Sequence, residues 1–173
     1  MVSYLVRIGG VLLRQAFKPR TEVTEVHEIT YRAWPWWCDT YWHINNTNYL
    51  ALMELSRWAW VARAGWLYRA TEGRWTFIVA GIQITYRRAI GMFEGFKVRT
   101  QLAGCDERWY YLVQELVKNN GEIASRAVVR ARISRRGKPI PPRELLGEWK
   151  PSSEFQPEIE AFDRAARKSL ERI

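Results

Sequence analysis

Cysteine and histidine are scarce in this chain. Only two residues of each type occur among the 173, and the cysteines, Cys38 and Cys105, are far apart in the sequence. A framework of several disulfides and a cysteine-rich zinc site both need more such residues, so neither is expected, and the cytoplasm is the natural compartment. The sequence also offers no metal-ligand cluster and no phosphate-binding loop, so we expect neither a metal nor a redox cofactor.

Long apolar runs are missing as well. The apolar stretch at residues 2–13 is interrupted by a charge and by a glycine pair, and it is too short to span a bilayer. We expect this segment to form an N-terminal helix or arm that docks on the body of the protein. Attachment to a membrane surface is the alternative, because three basic residues follow the stretch: Arg14, Lys18 and Arg20.

Tryptophan and positive charge are abundant instead. The chain has ten tryptophans, and such side chains suit both an apolar pocket and a subunit interface. The net charge of +9 attracts polyanions, which include nucleic acid, anionic lipid and the phosphates of a nucleotide-bearing substrate. Since the arginines are scattered along predicted strands and no recognition motif occurs, we do not expect a nucleic-acid partner.

Periodicity predicts one domain over residues 1–173, with a core at about residues 21–137. Residues 47–64 are apolar almost all round, which predicts a buried helix that stops at Gly65. A last helix is predicted at about residues 154–172, whereas the prolines of residues 139–142 are expected to break the pattern. Alternation of apolar and polar residues predicts strands at residues 23–34, 75–88, 93–103, 108–117 and 122–134.

This order of elements predicts an α+β architecture. The last four strands are joined by short turns, so they are expected to pair as antiparallel neighbours. A single buried helix offers a continuous apolar surface that a five-stranded sheet can cover. We therefore predict the hotdog fold, in which a curved antiparallel sheet wraps around one long buried helix, with N-terminal and C-terminal helical extensions.

The segment between the first strand and the buried helix carries a specific motif. Asp39 stands four positions before His43, and Asn45-Asn46, Tyr49-Leu50 and Glu54 follow. In this motif the chain resembles the 4-hydroxybenzoyl-CoA thioesterase superfamily, and within it the branch similar to thioesterase superfamily member 6. The resemblance covers roughly residues 3–146.

The resemblance implies an acyl-CoA thioesterase that converts an acyl-CoA to a free acid and CoA. In that superfamily a carboxylate lies beside the start of the buried helix, whose unpaired amides and dipole favour the oxyanion that forms when a thioester is attacked. Asp39 takes the carboxylate's role as general base or nucleophile, and His43 is the second catalytic candidate. Candidates for the oxyanion site or for substrate positioning are Asn45, Asn46, Thr47, Asn48, Tyr49 and Glu54.

Structural interpretations of the same residues stay open. An Asn-Asn pair before a helix is more often a cap than a ligand, so Asn45 and Asn46 are favoured as structural residues. Tyr49 and Glu54 are favoured as packing and polar anchoring residues, with Arg57 well spaced to partner Glu54. Without the resemblance, Asp39 would be interpreted as an aspartate of a loop turn.

Three neighbours of the motif bear on the chemistry. Trp37 and Trp42 stand where similar proteins often have an acidic residue and a glycine, and both add bulk at the site. Cys38 is a possible nucleophile, although a lone cysteine in an aromatic segment is more often a small buried residue.

The resemblance also implies partners. Hotdog subunits usually pair, so a homodimer or larger homo-oligomer is expected. The alternative to an enzyme is a non-catalytic module that binds acyl-CoA or lipid, because a fold does not imply an activity. Any single arginine is better interpreted as a solvated or dimer-facing residue. Candidates for holding the CoA phosphates are Arg87, Arg88, Arg135 and Arg136.

Overall fold

The computed structural model describes residues 2–147, 149 and 153–170. The strands are β1 (His27–Arg32), β2 (Trp75–Tyr86), β3 (Gly95–Cys105), β4 (Tyr110–Lys118), β5 (Ile123–Arg135) and β6 (Lys138–Ile140). The helices are α1 (Val2–Ala16), α2 (Asn46–Arg63), α3 (Trp66–Gly73), α4 (Pro142–Leu146) and α5 (Gln156–Leu170).

The strands form one antiparallel sheet in the order β1-β3-β4-β5-β2, and β6 pairs with β5. The five predicted strands are therefore present, because the alternation that predicted them follows the two faces of the sheet. β1 is shorter than predicted, since a turn closed by the Glu25 amide and the Glu22 carbonyl precedes it. A bulge between Val79 and Gly81 bends β2.

The inner face of the sheet packs on α2. Eight residues of α2 are buried, and from Asn48 onward the others are half-buried, so the helix has no side exposed to solvent. One core cluster joins Leu52 and Met53 to Phe96 of β3, and a second joins Trp60 to Leu112 of β4. This packing holds the start of α2 at one end of the sheet and its C-terminus at the other.

The outer face of the sheet is covered by α5. Phe155, Ile159 and Phe162 pack against a buried patch that includes Val113 and Val128. Polar contacts anchor the helix further. Arg130 forms an ion pair with Asp163 at 2.9 Å, and Arg126 bridges Glu115 and Glu158. The Tyr111 hydroxyl donates towards Asp106 and Asp163. The last two residues of the predicted helix, 171 and 172, lie outside the described residues.

Three elements differ from the sequence-based prediction. Gly65 does stop α2, but with a φ of +73° it also turns the chain directly into α3, which was not predicted. The prediction that residues 139–142 only break the pattern is wrong, because β6 and α4 form there. Pro139 is tolerated in β6, a strand three residues long outside the main path of the sheet, and Pro142 occupies the first turn of α4, where prolines are favoured.

Candidate active site

The motif segment folds into a small hairpin beside the start of α2. Cys38 pairs with Ile44 in an antiparallel bridge, and His43 pairs in the same way with Gly91. The Trp37 carbonyl accepts the Asn45 amide at 2.8 Å. The hairpin is therefore fixed both to the helix and to the turn before β3.

Asp39 lies at the base of this hairpin and is half-buried. Its amide donates to the His43 carbonyl at 2.9 Å, and its carbonyl accepts the Trp42 amide at 3.1 Å. The Tyr41 amide donates to Asp39 Oδ1 at 2.9 Å, which is the turn geometry expected of a loop aspartate. No hydrogen bond to Oδ2 is found within the described residues, so this oxygen can accept a proton from another molecule.

His43 meets Asp39 through its backbone alone. Its side chain is exposed, and the described residues include no hydrogen bond to its ring. An Asp39–His43 side-chain pair is thus not formed in this structure.

The start of α2 is capped by Asn45. Its Oδ1 accepts the Thr47 amide at 3.0 Å and the Thr47 hydroxyl at 2.7 Å, and its carbonyl accepts the Asn48 amide at 2.8 Å. The capping role predicted for Asn45 is confirmed, whereas Asn46 is the first helical residue. Asn45 engages the amides of Thr47 and Asn48, whereas no acceptor for the Asn46 amide is found among the described residues.

Other contacts fix the surroundings of the helix start. The Asn48 side chain donates to the Trp37 carbonyl at 2.9 Å. Tyr49 is buried, its ring meets Tyr86 edge to face at 5.3 Å, and its hydroxyl donates to the Arg88 carbonyl at 3.5 Å. Burial raises the pKa of Tyr49, so its hydroxyl stays protonated and acts as a donor.

Tyr86 was missed by the sequence-based reasoning, although its hydroxyl donates to the Asn46 carbonyl at 3.2 Å. This bond ties the end of β2 to the start of α2. Alternation in β2 indicated only which face Tyr86 occupies, and nothing in the sequence indicated its partner.

The two tryptophans of the motif take different positions. Trp37 is half-buried against the core and meets Tyr31 edge to face at 6.2 Å, so its bulk lies inside the fold. Trp42 is 65% exposed and has a φ of +61°, a conformation that favours glycine. That backbone geometry is a physical reason for glycine at this position in similar proteins.

Cys38 is poorly suited to be the nucleophile. Burial, with a smaller effect from the Asp39 charge, raises the pKa of its thiol, so the thiolate is disfavoured. Its Sγ lies 3.5 Å from the Trp34 carbonyl, to which the thiol donates. These observations favour the interpretation of Cys38 as a structural residue.

Glu54 lies away from the hairpin, on the wall of a cavity between α2 and the sheet. The cavity has a volume of about 90 Å³ and opens to solvent on one side. Arg57 shares its wall and donates to Gln114 Oε1 at 2.6 Å. Five of the 14 lining residues are aromatic, and they come from four elements: Trp58, Trp60, Trp66, Phe77 and Tyr110.

The four arginine candidates fall into two separate pairs. Arg87 and Arg88 follow β2 directly, are exposed, and lie near the helix start, to which Tyr49 connects Arg88. Arg135 lies opposite Trp75 at the other end of β2, and Arg136 follows it in the turn to β6. The two ends of β2 are about 36 Å apart along the strand at its usual rise per residue. One subunit therefore does not bring all four arginines to the same site.

Within the described residues, no group of three or more histidine, cysteine, aspartate or glutamate side chains is arranged to hold a metal ion.

Known proteins resemble this chain in sequence. The family model of the thioesterase-like superfamily matches residues 33–150, which is more than half of the chain. Protein THEM6 of Danio rerio is 34% identical over 94 residues, or 54% of this chain and 46% of that protein. Protein THEM6 of Xenopus laevis is 29% identical over 126 residues, or 72% of this chain and 60% of that protein. The predicted resemblance is thus confirmed, although the chain spans only about half the length of these relatives.

Solved structures confirm the fold. The probable thioesterase YbaW of Escherichia coli superposes with a TM-score of 0.63 at 22% identity, covering 70% of this chain and 91% of that one. Protein SAV2348 of Staphylococcus aureus, determined in complex with CoA, gives a TM-score of 0.59 at 16% identity, covering 70% and 79%. At such identities the likeness concerns the hotdog fold alone.

Proposed function

Because the chain belongs to the thioesterase-like superfamily, we propose that it is an acyl-CoA thioesterase that hydrolyses an acyl-CoA to a free acid and CoA. The observation that carries the proposal is the Asp39 carboxylate next to the start of α2: among the described residues, neither Asp39 Oδ2 nor the Asn46 amide has a hydrogen-bond partner. A carboxylate can act as base or nucleophile, and a helix start can stabilise an oxyanion.

The proposed reaction needs no cofactor. The thioester carbonyl oxygen accepts a hydrogen bond from the Asn46 amide, which strengthens as negative charge develops on that oxygen. Asp39 Oδ2 takes a proton from water, whose oxygen forms a bond to the carbonyl carbon. The carbon–sulfur bond then breaks, and the departing CoA sulfur receives the proton from Asp39. In the nucleophilic variant Asp39 itself attacks the carbonyl carbon, and the carbon–sulfur bond breaks to release CoA as a thiolate. Water then hydrolyses the resulting anhydride, which releases the free acid, regenerates the Asp39 carboxylate and supplies the proton that the thiolate takes up.

We further propose that the aromatic cavity receives the acyl group. Ligand pockets have mostly apolar walls with a few polar groups, and the walls of this cavity have that composition. The Tyr110 hydroxyl is buried without a hydrogen-bond partner in the described part of the chain, so it is a candidate polar contact at the wall. Aromatic walls favour an aromatic or medium-length acyl group over a short one.

A homodimer through β2 would join the cavity to the helix start. β2 runs antiparallel to α2, since Tyr86 contacts Asn46 at one end and Phe77 contacts Trp58 at the other. β2 is also an edge strand of 12 residues, and two copies can pair antiparallel about their middle. Such pairing places Phe77 of one subunit opposite Ile84 of the other, two residues from Tyr86, and hence the cavity of one near the helix start of its partner.

The same pairing would bring the two separate arginine pairs close together. Because an antiparallel pair exchanges the two ends of β2, Arg135 and Arg136 of one subunit approach Arg87 and Arg88 of the other. The four guanidinium groups then surround one site and can hold the phosphates of CoA. Sedimentation equilibrium that finds only monomer, at concentrations where the protein turns over substrate, would contradict this shared site.

The test of the activity is thiol release from short, medium, long and aromatic acyl-CoAs. We expect wild-type turnover to fall at least about 100-fold in Asp39→Asn, as is typical on loss of a general acid–base residue. Asp106→Asn is the matched control, because Asp106 Oδ1 also accepts the amide two residues on, from Arg108, and asparagine preserves such a turn. Cys38→Ala should retain turnover, and the preferred acyl group reports on the aromatic cavity.

The alternative is a module that binds acyl-CoA or lipid without hydrolysis. Exposed aromatic side chains around the hairpin, among them Trp36, Tyr41 and Trp42, are compatible with a binding role. Binding of acyl-CoA by both wild type and Asp39→Asn, with no thiol release from either, would refute the enzyme and support the module. Equal turnover of wild type and Asp39→Asn would refute the catalytic role of Asp39 but not the thioesterase activity.

A further inference from the structure

α1 is apolar on two opposite sides. One side faces the body of the protein, where α1 packs on α2 and Gln15 is buried. The other side carries Val6 and Leu13, and Phe17 follows directly after the last residue of α1; these side chains are 68%, 63% and 85% exposed. At 3.6 residues per turn Val6 and Leu13 lie within about 20° of each other and nearly opposite Gln15. We call Val6, Leu13 and Phe17 the outer stripe.

Positive charge surrounds the outer stripe. The first 21 residues contain four basic residues and no acidic one, and the first carboxylate of the chain is Glu22. All four side chains are exposed, and no ion pair involving them is found in the described ranges. These residues, here called the basic flank, are Arg7, Arg14, Lys18 and Arg20.

We propose that the outer stripe and the basic flank dock the protein on an anionic lipid surface. A lipid surface supplies an apolar phase for the stripe and negative charge for the flank at the same place. A second copy of α1 would supply the apolar contact, but a symmetric contact would bring two basic flanks together without any carboxylate between them. The charge therefore favours lipid over self-association.

The geometry indicates a helix that lies on the surface. None of the described helices is long and apolar enough to cross a membrane. An amphipathic helix instead places its apolar side at the boundary between headgroups and acyl chains. The docking itself does not depend on the proposed function.

The test is co-sedimentation of the full chain with lipid vesicles at about 0.1 M salt, where exposed charges still act over about 10 Å. Vesicles of phosphatidylcholine alone are compared with vesicles that contain about 30% phosphatidylglycerol, a content that gives a clearly negative surface. We expect strong binding to the anionic vesicles only. Equal binding to both kinds, or to neither, would overturn the proposal.

Two double variants separate the contributions. Leu13→Ser with Phe17→Ser should weaken binding at least about tenfold, because apolar burial drives insertion. Arg7→Gln with Arg14→Gln should weaken binding to anionic vesicles about 30-fold, at roughly fivefold per basic residue. The matched control is Arg164→Gln with Arg167→Gln on α5, whose side chains are equally exposed, and it should bind nearly as wild type.

Other outcomes would assign the surface differently. Unchanged vesicle binding by the stripe variant overturns the proposal. The proposal is also overturned if Trp36→Ser loses vesicle binding while both α1 variants bind normally. The lipid contact would then lie at the exposed Trp34–Trp36 pair. If wild type does not bind vesicles and the Leu13→Ser, Phe17→Ser variant changes the oligomeric state in sedimentation, the outer stripe is a contact between copies of the chain. Thermal unfolding of each variant controls for loss of folding.

Discussion

Acidification should unfold this protein partly through His27. The side chain is 5% exposed, lies opposite Thr100 in β3, and neither ring nitrogen has a hydrogen-bond partner in the described part of the chain. Burial and, to a smaller extent, the charges of Arg63 and Lys18 together lower the pKa of His27 from 6.5 to about 4. The folded protein therefore resists protonation of this ring where the unfolded chain accepts a proton.

The sign and size of the effect follow from that difference. Above about pH 6.5 the ring is neutral in both states, so its contribution to stability is fully present. Between pH 6.5 and about 4 the unfolded state binds a proton that the folded state does not, so the free energy of unfolding falls as the pH falls. A pKa difference of about 2.5 corresponds to a loss of about 3 kcal/mol, at about 1.4 kcal/mol per pKa unit.

Urea unfolding of wild type and His27→Leu at several pH values between 7 and 4 measures this loss. Carboxylates also titrate in this range, so the difference between the two proteins isolates the histidine. Between pH 7 and pH 4 we expect the free energy of unfolding of wild type to fall by about 3 kcal/mol more than that of His27→Leu. Parallel stability curves for wild type and His27→Leu would refute the reasoning.

Two further substitutions test local features of the fold. Trp42→Gly should be about 1 kcal/mol more stable than Trp42→Ala in urea unfolding, because only alanine keeps a Cβ at the positive φ of this residue; equal stabilities would show that the backbone relaxes. Tyr111→Phe should lower the free energy of unfolding by about 1–3 kcal/mol and speed hydrogen exchange in α5, because the Tyr111 hydroxyl donates towards both Asp106 and Asp163. Unchanged exchange in α5 would show that Arg130 alone is enough to anchor the helix.

Local patterns predicted most of the fold. β3, β4 and β5 end within about two residues of their predicted bounds, because alternation persists along strands that have a buried face. α2 begins one residue earlier than predicted and ends one residue sooner, close to its asparagine cap and its glycine stop. α3 was missed because Gly65 is a signal for an end, and the same left-handed residue can also begin the next helix. β6 was missed because prolines normally exclude strands, except in short segments at an edge.

The candidate site divides in the same way. Asp39, His43 and Asn45 lie within seven residues of one another, so a sequence motif could identify them together. The contacts of Tyr86 with the helix start, the aromatic cavity and the separation of the two arginine pairs depend on which strands pair and in which register. Register involves residues far apart in the chain, and periodicity along one strand does not encode it.

The sequence by itself determined the elements that short-range physics controls. Alternation selected the strands, an asparagine cap and a glycine stop bounded α2, and the acid-free first 21 residues made α1 basic. Only the tertiary structure decided what those elements do together. Packing α2 against the sheet left an aromatic cavity, placing β2 at the edge left it free to pair, and docking α1 on α2 left Val6, Leu13 and Phe17 exposed. Those outcomes depend on which surfaces bury each other, a choice made between segments distant in the chain.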